Sequence, residues 1–180
     1  MLQITVPARE FFDEQTETFI TTKECTLNLE HSLLSISKWE SKWCKPFLSK
    51  DKTDIRTEEE MLDYIKCMTL NKNVPDIVFN SLTRDNIIAI NNYIENPSTA
   101  TTVKTKPGGG REIVTSELIY YWMVAYQIPF ECEKWHINRL ITLVRVCQAM
   151  NTKNEKTGRP DLIARKKLNE ARRAAAHSKG

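Results

Sequence analysis

Glycine is scarce in this chain of 180 residues: there are five, and three are consecutive at 108–110. That run lacks the Gly-Lys-Ser/Thr ending and the helix start of a phosphate-binding loop, so 107–111 is expected to be a flexible turn tip. No Cys-x-x-Cys pair occurs. Cys25, Cys44, Cys67, Cys132 and Cys147 are odd in number and widely spaced, which argues for reduced, mostly buried thiols rather than a disulfide framework. No apolar stretch reaches the roughly 20 residues of a membrane span. The longest, 118–130, is interrupted by Gln127 and Pro129. A basic-then-apolar leader is missing at the start, and no internal repeat is present. The expectation is a soluble intracellular protein without membrane contact.

What is present is an ordinary globular composition, 41% hydrophobic and 27% charged, with an uneven charge distribution. Residues 151–180 hold nine Lys/Arg against three Asp/Glu, a net of +6. The whole chain carries +3, so 1–150 carries −3: a slightly acidic body and a basic tail.

The pattern predicts an α+β fold, predominantly α. In it, short N-terminal antiparallel strands (1–31) precede a mostly helical region (38–150) with a β-hairpin insertion near 99–115. Leu2, Ile4 and Val6 alternate with polar residues, as do Cys25, Leu27 and Leu29, and 17–22 is β-branched. Ser37 and Glu40 fit a capping box, as do Thr57 and Glu60. The second box opens a helix with Met61, Leu62, Ile65 and Met68 inward. Pro75 suits the first position of a short helix, and Thr83 caps another over 84–95, buried through Ile87, Ile88, Ile90 and Ile94. The segments 99–105 and 111–115 have strand composition on either side of the glycine tip. Residues 116–150 read as two core helices divided at Pro129, the first apolar almost all round and expected to be buried. A polar linker, 151–159, then leads to a helix-prone tail.

None of the chemistry-bearing residue types assembles into a site by spacing. Cys132 and His136 are four apart, but no further ligands stand at metal spacing, so a buried thiol and a hydrogen-bonded histidine are the favoured reading. Glu30, His31 and Ser32 are neighbours on a strand and point to opposite faces, which prevents a relay. Glu58, Glu59 and Glu60 suit the positive end of a helix dipole. The expectation is a non-enzymatic protein without cofactor or metal. Candidate partner-binding residues are the aromatic stripe Trp39, Trp43 and Phe47, more often core than surface, and Lys104, Lys106 and Arg111 around the glycine tip. Arg165, Lys166, Lys167, Arg172 and Arg173 in the tail complete the set. The tail could contact phosphates, but it has no aromatic residue for base stacking. A protein partner is therefore preferred to nucleic acid.

Several phrases occur together in order: Glu30-His31-Ser32-Leu33, Ser37-Lys38-Trp39-Glu40-Ser41-Lys42-Trp43, Lys45-Pro46-Phe47-Leu48 and Tyr64-Ile65-Lys66-Cys67-Met68-Thr69. Ile119-Tyr120-Tyr121-Trp122-Met123 and Ile128-Pro129-Phe130-Glu131-Cys132-Glu133-Lys134-Trp135-His136-Ile137-Asn138-Arg139-Leu140 follow, and Leu168-Asn169-Glu170-Ala171-Arg172-Arg173 ends the series. In this order they resemble a family of small tailed-bacteriophage proteins from among the tail genes, often labelled tail assembly chaperones. The resemblance covers most of 27–173 and brings no catalytic motif. It implies a role in tail morphogenesis in the host bacterial cytoplasm: holding the helical tape-measure protein soluble while tail-tube subunits polymerise around it. The expected partners are the tape-measure or tail-tube protein, with self-association as an alternative. Alternatives are a structural subunit of the virion (tail, baseplate or neck) and a DNA-binding accessory protein using the basic tail.

Overall fold

The computed structural model describes residues 1–13, 17–48, 56–102 and 113–175, with the backbone alone at 13, 152–166, 171 and 173–175. The fold is α+β and predominantly helical. Strand β1 (Leu2–Val6) pairs antiparallel with β4 (Cys25–Leu29), and β2 (Arg9–Asp13) pairs with β3 (Thr18–Thr22). Leu2 faces Leu29, Val6 faces Cys25, and Arg9 faces Thr22, so one register runs through both pairs. Pro7, which has no N–H to give to a ladder, marks the interruption. The expected single small sheet is thus two two-stranded sheets. β2 (REFFD) lacks period-2 alternation, and its pairing with β3 is what makes it a strand.

Helix α1 (Leu33–Trp43) begins earlier than the Ser37–Glu40 box predicts. Ser32 is its cap: the Ser32 Oγ accepts from the Ser35 N–H at 3.2 Å, and the Ser35 Oγ accepts from the Ser32 N–H at 2.9 Å. Glu40 is therefore released from capping its own helix. α2 (Glu58–Met68) has the predicted Thr57–Glu60 box. Pro75 precedes α3 (Asp76–Asn80) as its cap, and Thr83 caps α4 (Arg84–Glu95) in a box with Asn86. In α4, Ile90 is buried but Ile88 is 47% exposed, so the apolar stripe is narrower than predicted. The flanks of the expected insertion hairpin, 99–102 and 113–115, are irregular, and 103–112 lies outside the described residues.

α5 (Ser116–Ala125) is capped by Thr115 and followed by a short 3₁₀ helix, Phe130–Lys134. It is not buried all round: Ile119 and Met123 face the core, but Tyr121 is 65% and Val124 61% exposed. α6 runs from Ile137 to Ala175 through 151–159, where composition predicts a linker. Good helix formers surround that stretch, and Pro160 removes only one backbone bond. Leu27, Leu29, Leu33, Ile36, Met68 and Ile119 are fully enclosed and form the centre of the core. No helix among the described residues is long and apolar enough to cross a membrane.

Candidate functional site

The buried centre is built where the ends of several elements meet. Strand β4 ends at Glu30 and His31, and the Glu30 N–H donates to the Met68 carbonyl at the end of α2 at 2.9 Å. The Ile137 N–H, opening α6, donates to the His31 carbonyl at 2.7 Å. These backbone bonds bring His31 against Tyr64 of α2, whose hydroxyl lies 2.5 Å from His31 Nδ1, and against His136, whose ring centroid is 5.1 Å away. His136 Nδ1 accepts from the Asn138 N–H at 3.3 Å, which leaves its Nε2 to donate to the Tyr93 carbonyl at 3.0 Å. Glu30 takes the Tyr93 hydroxyl at 2.5 Å and pairs with the Met1 amino group at 2.8 Å.

The electrostatics of this centre suit a neutral His31. Burial, then His136, then the Arg56 guanidinium hold the His31 pKa down at about 3. Burial pushes the Tyr64 hydroxyl well above its ordinary range. A neutral His31 therefore accepts at Nδ1 from the Tyr64 O–H. The Glu30, His31 and Ser32 side chains diverge, to Tyr93, to Tyr64 and to the start of α1, so they form no relay. Both histidines are below a tenth exposed, and neither lines the α2–α4 cleft or the cleft between 95–102 and α5–α6.

The aromatic stripe falls mostly in the core, so Trp39 and Phe47 are closed to a partner. The Trp39 Nε1–H donates to the Glu60 carbonyl at 2.8 Å, and the Phe47 ring lies 3.9 Å from that of Tyr64. Trp43 is half-buried and its Nε1–H donates to Asp63 at 2.9 Å, a carboxylate that also pairs with Lys42. Together these bonds fasten α1 to α2. Glu40 is buried: one oxygen accepts from the Phe47 N–H at 2.7 Å and the other from the Ser116 N–H, at the start of α5, at 2.7 Å. Sequence reasoning missed that role because its donors are distant main-chain amides.

Among the described residues, two clefts that open to solvent stand out. The first, of about 660 Å³, lies between α2 and α4 and over α3, with Met61, Leu62, Ile65, Phe79, Leu82 and Ile87 among its apolar lining. Glu58, Glu59, Asn80 and Asn91 supply its polar edge. The second, of about 860 Å³, lies between 95–102 and α5–α6 and is more polar, with Thr99, Thr101, Asn138, Thr142 and Arg145 among its lining. Neither holds a nucleophile beside a base. Among the described residues no group of three or more His, Cys, Asp or Glu side chains could hold a metal ion. Cys132 is buried in the 3₁₀ helix, and His136 turns inward to His31 and Tyr93.

Of the predicted basic contact residues, Lys167 and Arg172 are exposed on α6. Lys104, Lys106 and Arg111 lie outside the described residues, as do the side chains of Arg165, Lys166 and Arg173. Exposed apolar surface instead comes from elsewhere. Phe12 and Phe19 face each other across the β2–β3 hairpin with centroids 5.1 Å apart, 54% and 67% exposed. The hairpin is tied to the body by Thr22, whose Oγ1 lies 3.2 Å from Ser81 Oγ.

Comparison of the chain with known protein families, with curated proteins and with solved structures finds no match in any of the three.

Proposed function

We propose that this chain is a tailed-phage tail assembly chaperone, a non-enzymatic protein that works in the host cytoplasm by binding the tape-measure protein. The observation that carries the reading is spatial. Five of the seven phrases that resemble the tail-gene family meet in one place: His31 contacts Tyr64 and His136, and Trp39 and Phe47 pack beside them. The residues on which the resemblance rests thus fall largely within one packed unit, which supports reading them together. The α2–α4 groove supplies a surface for such a client. It is apolar, open, edged by polar side chains, and of the type that receives one face of an amphipathic helix.

Co-expression with the tape-measure protein of the same phage tests the reading. The expected result is that the client becomes soluble and co-purifies, and that Met61→Glu, in the groove wall, releases it while the variant's own thermal unfolding is unchanged. An insoluble client, with or without this chain, rejects the proposal. The exposed Phe12–Phe19 pair also suits a permanent neighbour, which favours a structural virion subunit as the second reading. Mass spectrometry of purified particles decides between them. Stoichiometric copies in mature virions identify a structural subunit, and their absence fits a chaperone that leaves after assembly.

A further inference from the structure

Helix α5 and the 3₁₀ helix after it present an apolar face with acidic neighbours. Glu117, Tyr120, Tyr121 and Val124 recur at helical spacing, three and four apart, and so share one side of α5. The Phe130 ring joins that side, 6.3 Å from Tyr120, and is 55% exposed. Glu133 accepts the Tyr120 hydroxyl at 2.8 Å, and Glu117 and Glu131 are exposed. Lys134 is the only cation in 113–135, against Glu117, Glu131 and Glu133, so this stretch is itself acidic; Arg139 is engaged over the Trp135 ring at 4.2 Å. The complement of such a face is a basic helix with a modest apolar side.

This chain carries one. The end of α6 exposes Lys167 and Arg172 beside Leu168, itself 53% exposed, within a segment of net charge +6. It cannot reach the α5 face of its own chain. Lys167 lies about 45 Å along the axis from Ile137, at a rise of about 1.5 Å per residue, and Ile137 begins next to the 3₁₀ helix. Pro160 bends a helix but does not reverse it. A long helix whose end lies far from the core also gains little from propensity alone and is stabilised by a surface that covers it.

We propose that two copies of this chain associate, the basic end of α6 of each seated on the Tyr121–Val124–Phe130 face of the other. The exchange is reciprocal, so both seats form in a closed two-fold dimer and the interface is isologous. Apolar contact around Leu168 provides the seat, and Lys167 and Arg172 facing Glu117 and Glu131 set its orientation. The α2–α4 groove takes no part, so this inference stands apart from the proposed client binding.

The test is light scattering on the full chain with charge reversals on each side. The wild type is expected to have the mass of two chains at about 50 mM salt and to dissociate as salt rises toward about 0.5 M. Lys167→Glu/Arg172→Glu and Glu117→Lys/Glu131→Lys should each raise the dimer dissociation constant about tenfold or more. Combining all four changes in one chain should restore the dimer, a rescue that a merely misfolded variant cannot produce. Tyr121→Glu should give a monomer with an unchanged far-UV spectrum. A wild-type chain that is monomeric at about 100 μM in low salt overturns the proposal. So does a dimer indifferent to both reversals, or a tail reversal that keeps the mass and abolishes salt-sensitive binding to duplex DNA.

Discussion

Glu40 shows how much one buried side chain can hold. Its two oxygens accept the Phe47 and Ser116 amides, so a single carboxylate fixes the chain after α1 and starts α5. A carboxyl acceptor at a helix N-terminus gains from the helix dipole as well as from the bond itself. Glu40→Ala leaves two buried N–H groups without an acceptor, each costing about 1–3 kcal/mol. The expected loss of stability is therefore about 3 kcal/mol, read as a lower urea midpoint at unchanged slope. Glu40→Gln should recover only part of it, because its amide nitrogen would face one of the two donors. A Glu40→Ala variant within about 0.5 kcal/mol of wild type would show that water replaces the carboxylate and that the bridge is incidental.

At the scale of elements, the end of α1 holds a residue in a conformation that its side chain does not favour. Cys44 closes the helix at φ 52°, in the left-handed region, with its N–H donating to the Glu40 carbonyl at 2.8 Å. Left-handed backbone costs an L-residue with a Cβ about 1–2 kcal/mol, and glycine about nothing. Cys44 is exposed, so its side chain contributes little packing. Cys44→Gly is expected to raise stability by about 0.5–1 kcal/mol, the net after the greater freedom of glycine in the unfolded chain. A drop in the melting temperature would mean that the thiol packs against something that matters. The same helix shows which parts of the fold are legible in sequence. Thr57 and Thr83 cap α2 and α4 where local chemistry places them. Ser32 was hidden because its box partner is Ser35, an uncommon choice, while Ser37 and Glu40 fit the usual pattern one turn later. β2 and the continuity of α6 depended on pairing and propagation, which local composition does not encode. The α2–α4 groove was invisible because a groove is the spacing of two helices, not a property of either.

At the scale of the molecule, the centre around His31 connects β4, α2, the end of α4 and the start of α6, segments far apart in sequence. Its protonation is therefore felt by the whole body. The His31 pKa is about 3 when folded, lowered first by burial and then by His136 and Arg56, against about 6.5 when unfolded. Between those values the unfolded chain binds a proton that the folded chain refuses. Stability accordingly rises with pH across that window, is complete above about pH 6.5, and is lost on acidification. One proton sets a ceiling of about 1.4 kcal/mol per pH unit. Two carboxylates enter at lower pH. Glu60 is held low by hydrogen bonds from Lys45 and the Thr57 N–H, while Asp63, raised by burial, is brought below its usual value by Lys42 and Trp43. Both add to the acid loss below about pH 4.5. Urea unfolding between pH 6 and pH 5 therefore reads His31. The wild type is expected to lose about 1 kcal/mol over that unit, and His31→Gln, which can still accept from the Tyr64 hydroxyl, less than half as much. Parallel stability curves for the two chains would move the acid sensitivity away from His31.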